Sequence, residues 1–363
     1  MRHSVRPPGR RRAKPERPGE LELIRRLTSR LAHARGTVIG PGDDAAVVRP
    51  TAGRDLVVTT DAFVEGVHFR SEWARIRGIG PRLPSMIGAR LASANVSDLA
   101  AMGARPRWAV LSTGVGRRGA QWFERVQRSL AGALERSGAS LVGGNLCRAA
   151  GRDWLSLTLI GEVRRGYAIA RSGARAGDWI AITGSPGRAA AFEALADAGR
   201  SDRVLERAWS RPPARVAFAG ALASRGLVHA AIDVSDGVAG DLSQLCRASG
   251  VSAELAESAW PADAAIERAL AMLESRAART AGRNVAARRL GIQLGASDDY
   301  ELILAVPPLG RARCEALARV HRTPLEFVGR FSRGTPGALW LRTARGRRRL
   351  RARGYDHLAS GQR

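Results

Sequence analysis

Short acidic clusters lie beside apolar runs in Gly-, Ser- and Thr-rich segments of a strongly basic chain. They are Asp43-Asp44, Asp61 with Glu65, Asp98, Asp233 with Asp236, and Asp298-Asp299. Carboxylates gathered at the ends of buried strands repel one another and lose solvation, so a fold that assembles them needs a compensating cation. Oxygen ligands of this kind suit Mg²⁺, which usually accompanies a phosphate substrate. The clusters therefore predict a metal and phosphate site at sheet edges.

Length and composition limit the class of protein. A chain of 363 residues with 45% hydrophobic residues predicts a globular protein of two domains. No apolar run is long enough for a membrane span, and no apolar segment of a secretory signal follows the basic N-terminus, so we expect no membrane association. The three cysteines are far apart and odd in number. They indicate reduced thiols and a cytoplasmic location.

The basic charge comes almost entirely from arginine. The formal net charge is +26, and Lys14 is the single lysine. No GxxxxGK[ST] loop is present, so nucleotide binding of the P-loop kind is excluded. Residues 1–19 have a Pro/Gly/Arg composition typical of a disordered tail. Neither this tail nor the basic stretch 342–353 contains interleaved aromatic residues, so we do not expect nucleic acid as the partner.

Hydrophobic periodicity predicts two lobes in which helices cover a sheet, a mixture of α/β and α+β structure. We predict helices over 21–34, 84–102, 120–136, 188–198, 215–224, 238–248 and 311–320. Strands are predicted over 45–48, 56–60, 108–115, 140–142, 154–163, 179–183, 228–232, 300–306 and 325–329. The predicted units are a tail (1–19), an N-terminal α+β lobe (20–165), a C-terminal α/β lobe (166–335) and a basic strand or tail segment (336–363).

In the N-terminal lobe, several polar groups follow predicted strands or share a helix face. The segment Thr59-Thr60-Asp61 ends a predicted strand, where hydroxyl and carboxylate oxygens can share a cation. His68 follows in a Gly-containing loop, with a structural role equally open. Asp98 lies on an apolar helix, and the cost of burying an unpaired charge favours a partner. The segment Gly143-Gly144-Asn145 is interpreted as a turn that approaches a phosphate.

In the C-terminal lobe, Asp233-Val234-Ser235-Asp236-Gly237 joins a strand to a helix. Ser235 or Asp236 can cap that helix, or the exposed amides of its first turn can bind a phosphate. The segment Asp298-Asp299-Tyr300 precedes another buried strand. No single cluster decides the function, but their joint occurrence points to one site.

In order and spacing, these clusters resemble the thiamine-monophosphate kinases of the aminoimidazole ribonucleotide synthetase superfamily. The resemblance covers about residues 21–357. Its specific segments are GPGDDAAVV, TTDAFVEGVHF, NVSDLAAMGARP, RSGARAGDWIAITGSPG, IDVSDGVAGDL, DDYEL and GYDH. It implies a two-lobed fold whose N-terminal sheet packs across a homodimer. It also implies ATP-dependent phosphorylation of thiamine monophosphate to thiamine diphosphate, with several Mg²⁺ ions.

The resemblance also implies roles for individual residues. The implied metal ligands are Asp44, Thr59, Thr60, Asp61, Asp98, Asn145, Asp233 and Asp236. The implied ATP contacts are Gly144, Asn145, Arg171 and Ser235, and the implied contacts with thiamine monophosphate are His68 and Asp298. No side chain is assigned beyond positioning metal and phosphate, because the acceptor is already a phosphate oxygen and needs little acid–base help.

The chain departs from the family pattern at three places. Asn145 replaces a metal-binding Asp, Asp298 replaces a longer Glu in an altered Ala296-Ser297-Asp298-Asp299 segment, and the aromatic residue before GYDH is absent. Two alternatives therefore stay open at this point: a related ATP-dependent enzyme with another small acceptor, and a non-catalytic ATP- or nucleic-acid-binding relative. An Asn145→Asp exchange separates a decayed site, in which activity rises, from a re-tuned one.

Overall fold

Two sheets of different size organise the protein. The computed structural model describes residues 20–29, 31–32, 34–274 and 285–352. The N-terminal lobe contains helices α1 to α3 and strands β1 to β6. The helices are Glu20–Thr28 (α1), Leu83–Ala101 (α2) and Ala120–Arg136 (α3). The strands are Thr37–Ile39 (β1), Val47–Val48 (β2), Arg54–Val64 (β3), Arg105–Val115 (β4), Ser140–Arg148 (β5) and Trp154–Arg164 (β6).

The main N-terminal sheet has the order β3-β6-β4-β5, with β4 and β5 parallel and the other pairs antiparallel. Because side chains alternate across a strand, one face presents Leu155, Leu157 and Leu159 to the core. Helices α2 and α3 pack together beside that core and share its apolar cluster. On the opposite face, Leu56 and Val58 of β3 are exposed.

The C-terminal lobe is built on a seven-stranded sheet of order β13-β12-β9-β11-β7-β10-β8. Its strands are Trp179–Thr183 (β7), Ala230–Asp233 (β8), Ser252–Ala256 (β9), Leu302–Val306 (β10), Leu325–Ser332 (β11), Leu339–Thr343 (β12) and Gly346–Leu350 (β13). Its helices are Arg188–Asp197 (α4), Arg203–Ser210 (α5), Val216–Ala223 (α6), Val238–Ser249 (α7), Ala264–Leu273 (α8), Val285–Leu294 (α9) and Arg311–Val320 (α10). No described helix has the length and apolar content needed to cross a membrane.

One apolar cluster joins the two lobes. It contains Leu91 of α2 and Phe123 of α3 together with Phe192 of α4. Trp73, from the N-terminal lobe, packs edge-on against Phe192 and Trp209, with ring centroids 5.6 and 5.3 Å apart. Burial of such large aromatic side chains is a major source of stabilisation. The lobes therefore meet through a shared core, and α2 lies at that junction.

The predicted architecture of α/β and α+β lobes is confirmed, but several element bounds were wrong. The helix predicted over 21–34 ends at Thr28; Leu31 still packs on the core from outside the helix. The strand predicted over 56–60 continues to Val64, because its pairing with β6 continues to the register pair Val64↔Trp154. Only Val47–Val48 of the strand predicted over 45–48 is extended, and it pairs with β1.

The segment Gly143-Gly144-Asn145 was interpreted as a turn, and this was wrong. It lies inside β5, where parallel pairing with β4 continues through Gly144↔Leu111 and Asn145↔Ser112. A Cβ at Gly144 would lie 2.3 Å from the carbonyl oxygen of Leu111, so glycine permits close approach to the neighbouring strand. Helices α5, α8 and α9 and strands β1, β9, β12 and β13 were not predicted as separate elements.

The predicted unit boundaries stay predictions. Strands β12 and β13 belong to the seven-stranded sheet, although they lie within the segment 336–363. The tail 1–19 and the segment GYDH lie outside the described residues.

Candidate active site

A cleft with a volume of about 280 Å³ lies where β3 and α2 of the N-terminal lobe face the ends of β8 and β10. Acidic side chains from both lobes line it. The lining residues are Asp61, Ala62, Phe63, Val67, His68, Asp98, Glu193, Asp233, Ser235, Asp236, Ala296, Ser297, Asp298 and Tyr300. The structure thus brings together carboxylates that lie far apart in sequence.

The pKa values of Asp61, Asp98 and Asp233 are all raised, first of all by burial. Burial, and then the charge of Asp98, raises the pKa of Asp61 to about 7. The pKa of Asp98 is raised by burial, although the Thr59 hydroxyl donates a 2.5 Å hydrogen bond to it and Arg171 attracts its charged form. Burial and the charges of Asp98, Asp241 and Asp61 raise the pKa of Asp233 well above its usual value. Such mutual repulsion is relieved by a cation.

The donor set fits a hard divalent cation. Asp233 is 2% exposed, and its Oδ2 atom meets no hydrogen-bond donor among the described residues. A buried carboxylate oxygen without a hydrogen-bond partner destabilises the folded state unless a ligand contacts it. In the described part of the chain, no three His, Cys, Asp or Glu side chains stand close enough to hold a metal by themselves. Water and phosphate oxygens would have to complete the coordination, as is usual for Mg²⁺.

The turn between β8 and α7 is organised by Asp241, which the sequence analysis missed. One oxygen of Asp241 accepts hydrogen bonds from the backbone N–H groups of Ser235, Asp236 and Gly237, at 3.1, 3.0 and 3.0 Å. The sequence left two alternatives for this turn, a cap by Ser235 or Asp236 and amides free for a phosphate. The first residue before the helix is instead Gly237, and the amides already have an acceptor inside the protein. Asp241 therefore shapes the turn that carries Ser235 and Asp236 into the cleft.

Asp298 and Asp299 are adjacent in sequence but lie in different environments. Asp298 lines the cleft. Asp299 points away and accepts hydrogen bonds from the N–H groups of Gly187 and Ala189, at 2.5 and 2.9 Å, at the start of α4. Glu301 forms an ion pair of 2.7 Å with Arg215. Only Asp298 of these three acids thus faces the ligand space.

His68 is held at the rim of the cleft in one ring orientation. Its Nδ1 accepts a hydrogen bond of 3.1 Å from the N–H group of Val64, and its ring stacks on Phe63 at 5.1 Å. Since Nδ1 acts as an acceptor, the neutral ring carries its proton on Nε2. Glu65 supports the loop by accepting hydrogen bonds from Arg118 and from the backbone of Asp153.

Six of the predicted site residues do not line the cleft: Asp44, Thr59, Thr60, Gly144, Asn145 and Arg171. Thr59 still contacts the cleft residue Asp98 through its hydroxyl. Asp44 is exposed in the loop before β2. Thr60 points to the face of β3 opposite Thr59 and Asp61, where it hydrogen-bonds to Leu157 O and Thr158. Gly144 and Asn145 lie on the edge strand β5 and do not line the cleft.

Asn145 shares its sheet face with Ala62, through the register row Ser112 and Ser156, and not with Asp61. Arg171 is exposed outside the cleft lining but lies near enough to Asp98 to favour its charged form.

Arg90 and Glu193 are two further residues of the site that the sequence analysis did not select. Burial and the charge of Asp298 raise the pKa of Glu193 to about 8, and Trp209 donates a 3.0 Å hydrogen bond to it. Arg90 is fully buried behind Asp298. Arg90 could have been selected from the sequence, because it is a cation in the otherwise apolar helical stretch around Leu91. No sequence feature distinguishes Glu193.

Comparison with known proteins places both lobes in one family. Residues 42–163 match the model of the AIR synthase related protein N-terminal domain, and residues 175–341 match that of its C-terminal domain. The chain is 32% identical to the thiamine-monophosphate kinase of Escherichia coli O157:H7 over 350 residues, which cover 94% of this chain and 99% of that protein.

Solved structures share the fold. The thiamine-monophosphate kinase from Stenotrophomonas maltophilia K279a superposes with a TM-score of 0.72 at 31% identity, covering 88% of this chain and 94% of that one. AaThiL complexed with AMPPCP and TMP superposes with a TM-score of 0.69 at 24% identity, covering 93% and 96%.

Proposed function

Because the chain belongs to the thiamine-monophosphate kinases of the AIR synthase related family, we propose that it transfers a phosphoryl group from ATP to thiamine monophosphate. The observation that carries the proposal is the convergence of Asp61, Asp98 and Asp233 from β3, α2 and β8 on one cleft. Family membership supports the choice of substrates, and the same fold holds AMPPCP and TMP in AaThiL.

The reaction is a direct displacement. A phosphate oxygen of thiamine monophosphate attacks the γ-phosphorus of ATP, the bond to the β,γ-bridging oxygen breaks, and ADP leaves with that electron pair. The attacking oxygen is already anionic, so no side chain has to remove a proton. Catalysis then depends on holding both phosphates in line and on neutralising their charge.

Asp61, Asp98 and Asp233 are the side chains that would hold Mg²⁺, and Asp236 lines the same cleft. Bound Mg²⁺ would neutralise the phosphate oxygens and draw the two substrates together. Thr59 orients Asp98 through its 2.5 Å hydrogen bond. Asp44, Thr60 and Asn145 remain proposed ligands only if a second subunit or a change in conformation brings them to the site.

The remaining groups bind the two substrates. Arg171 and Ser235 are proposed to contact the phosphates of ATP; the charge interaction of Arg171 with Asp98 and the position of Ser235 in the cleft lining support this. The Nε2–H group of His68 is a donor for the phosphate of the acceptor, and Asp298 is an acceptor for hydrogen-bond donors or positive charge on thiamine monophosphate.

We also propose that the protein is a homodimer that acts in the cytoplasm. The outer face of the N-terminal sheet carries the exposed apolar residues Leu56 and Val58, a pattern typical of protein interfaces. Cys147, Cys246 and Cys314 are all free thiols, which fits a reducing compartment that also supplies ATP.

The test is product analysis by mass spectrometry after incubation with thiamine monophosphate, ATP and Mg²⁺. We expect thiamine diphosphate, and none when Mg²⁺ is replaced by EDTA. ATP turnover that thiamine monophosphate does not stimulate, in a well-folded sample, would contradict the proposed acceptor and favour another small acceptor.

A further inference from the structure

Arg90 is a fully buried cation at the junction of the two lobes. It lies on α2 and has 0% relative exposure. Its Nη2 atom lies 2.5 Å from Asp298 Oδ2 and also donates a 2.9 Å hydrogen bond to the backbone carbonyl oxygen of Asp298. Its Nη1 atom donates to the carbonyl oxygen of Trp209. One guanidinium thus binds both the side chain and the backbone of the residue assigned to the acceptor.

Aromatic rings hold the guanidinium in place. Its central carbon lies 4.5 Å from the ring centroid of Trp209 and 5.1 Å from that of Tyr300. A cation at these distances from two aromatic rings is attracted by their faces, and the flat guanidinium fits between them better than an ammonium group. Burial of an isolated charge is strongly unfavourable, so Arg90 depends on Asp298 as its counter-charge. The pair therefore restricts Asp298 to one position in the wall of the cleft.

The backbone beside Asp298 is strained and is also tied to α2. Tyr300 has a φ of +55°, a conformation that non-glycine residues rarely adopt. Its N–H group donates a 2.8 Å hydrogen bond to Val234 O, and its carbonyl oxygen accepts one of 3.3 Å from Ser97 of α2. Helix α2 thus binds the 298–300 segment through two residues, Arg90 and Ser97.

The same helix carries Asp98, which belongs to the carboxylate group at the metal end of the cleft. Asp98 lies eight positions after Arg90 in the helix, a rise of about 12 Å. A rigid helix therefore connects the residue that anchors Asp298 with the residue that faces Asp61 and Asp233. This spacing fixes how far the acceptor-binding side chain lies from the proposed Mg²⁺ ligands.

We propose that Arg90 is a positioning residue for the acceptor: it holds Asp298 at a set distance from Asp98, and so places thiamine monophosphate in line with ATP. This inference rests on the proposed function. It assigns Arg90 no contact with either substrate. Its effect reaches the acceptor through Asp298 and leaves the ATP end of the cleft unchanged.

The experiment compares Arg90→Met, Arg90→Lys and Asp298→Asn with the wild type in steady-state kinetics. For Arg90→Met we expect the KM for thiamine monophosphate to rise roughly tenfold or more, because a buried charge loses its partner and Asp298 loses its anchor. The KM for ATP should stay within about threefold. In the double variant Arg90→Met/Asp298→Asn, the KM for thiamine monophosphate should not exceed that of the single variant with the higher KM. Both substitutions remove the same interaction, so their effects should not add.

Arg82→Met is the matched control. Arg82 precedes α2 and also joins the lobes, through an ion pair with Glu206 that lies outside the cleft lining. It should leave the KM for thiamine monophosphate unchanged. Arg90→Lys keeps the positive charge but loses the planar guanidinium, which donates several hydrogen bonds and packs against two aromatic rings. Its KM for thiamine monophosphate should therefore lie between those of the wild type and Arg90→Met. If Arg90→Met does not fold, Arg90→Lys carries the test.

Three results would overturn the inference: an unchanged KM for thiamine monophosphate in both Arg90 variants, an equal rise in both KM values, or additive effects in the double variant. A wild type that forms no thiamine diphosphate would contradict the proposed function itself and remove the acceptor on which the inference depends. Normal wild-type activity with unaffected Arg90 variants would overturn the role of Arg90 alone.

Discussion

Thr59 and Thr60 are adjacent in sequence, but the pleat of β3 separates their roles. The Thr59 hydroxyl donates a 2.5 Å hydrogen bond to Asp98, whereas Thr60 contacts Leu157 O and Thr158 on the other face. We predict that Thr59→Val lowers kcat about tenfold or more, because groups that orient metal ligands typically have effects of this size. Thr60→Val, of identical chemistry, should change kcat by roughly twofold at most.

Steady-state kinetics at saturating ATP and Mg²⁺ measure both variants, with circular dichroism as a check on folding. An equal loss of kcat in the two variants would contradict this prediction. It would mean that Thr60 contacts the site in an arrangement that one subunit alone does not show.

The crowded carboxylates predict a dependence of stability on pH. Burial and the charge of Asp98 raise the pKa of Asp61 to about 7 in the folded protein, against an ordinary value of 3.8. A carboxyl group with a raised folded pKa stabilises the protein while it is protonated, and this contribution is lost as pH rises from about 4 to about 7. Mg²⁺ binds the deprotonated form, so its stabilising effect should be larger at about pH 8 than at about pH 5.

Differential scanning fluorimetry with and without Mg²⁺ checks this prediction. Asp61→Asn should flatten the pH dependence of the melting temperature and reduce the effect of Mg²⁺. A Mg²⁺ effect of the same size at both pH values would argue against binding at these carboxylates.

The predictability of the site differs from residue to residue. Asp61, Asp98, Asp233, Asp236 and Asp298 were predicted from acidic residues beside apolar runs, and they line one cleft. The sequence could not show which neighbours turn away. Thr60 is separated from Asp61 by strand alternation, and Asp299 is used at the start of α4. Arg90 and Glu193 act through tertiary contacts with residues more than a hundred positions away or on another helix, which local pattern does not report.

At the scale of elements, the turn between β8 and α7 depends on a residue within the helix. Asp241 accepts three backbone hydrogen bonds from that turn. We predict that Asp241→Ala lowers the free energy of unfolding by about 3 kcal/mol, because three backbone amides, that of Gly237 buried, lose their carboxyl acceptor. It should also reduce kcat, since Ser235 and Asp236 lose their support.

Ser243→Ala is the control on the same helix, because it removes one buried hydrogen bond of 2.8 Å to Gly337 O. Its cost should be about 1 kcal/mol without loss of kcat. Urea denaturation and kinetics measure both variants. An Asp241→Ala protein as stable and active as Ser243→Ala would show that the turn holds its shape without Asp241.

Strand and helix types were easier to predict than their ends. Helices α3 and α10 and strand β7 have the predicted bounds, because clear hydrophobic periodicity coincides with sharp Gly or Pro boundaries. Strand β5 was cut short in the prediction, since Gly143-Gly144 is typical of turns. Its continuation depends on pairing with β4, a contact between distant parts of the chain.

For the whole molecule, the two lobes form one cleft because α2 belongs to a core that both share. This explains why the acidic clusters, spread over most of the chain, converge. The two-lobed architecture was predictable from alternating helices and strands. The order β13-β12-β9-β11-β7-β10-β8 was not, because the pairing of β12 with β9 and of β10 with β8 joins strands that are not consecutive.

The proposed homodimer gives a prediction at this scale. Val58 is 63% exposed on the outer face of the N-terminal sheet. We predict that the wild type sediments with twice the chain mass of 38.7 kDa and that Val58→Asp sediments as a monomer, because a charge at an apolar interface is disfavoured. Val320→Asp, at an exposed site on α10, is the matched control and should remain dimeric. A monomeric wild type would contradict the proposal.

Phosphoryl transfer from ATP to thiamine monophosphate in the inter-lobe carboxylate cleft can be observed directly. ³¹P nuclear magnetic resonance follows every phosphorus of both substrates in one reaction. We predict that thiamine diphosphate and ADP appear in equal amounts with the wild type, and that Asp61→Asn forms neither. Release of ADP and inorganic phosphate without thiamine diphosphate, or equal product formation by Asp61→Asn, would contradict it.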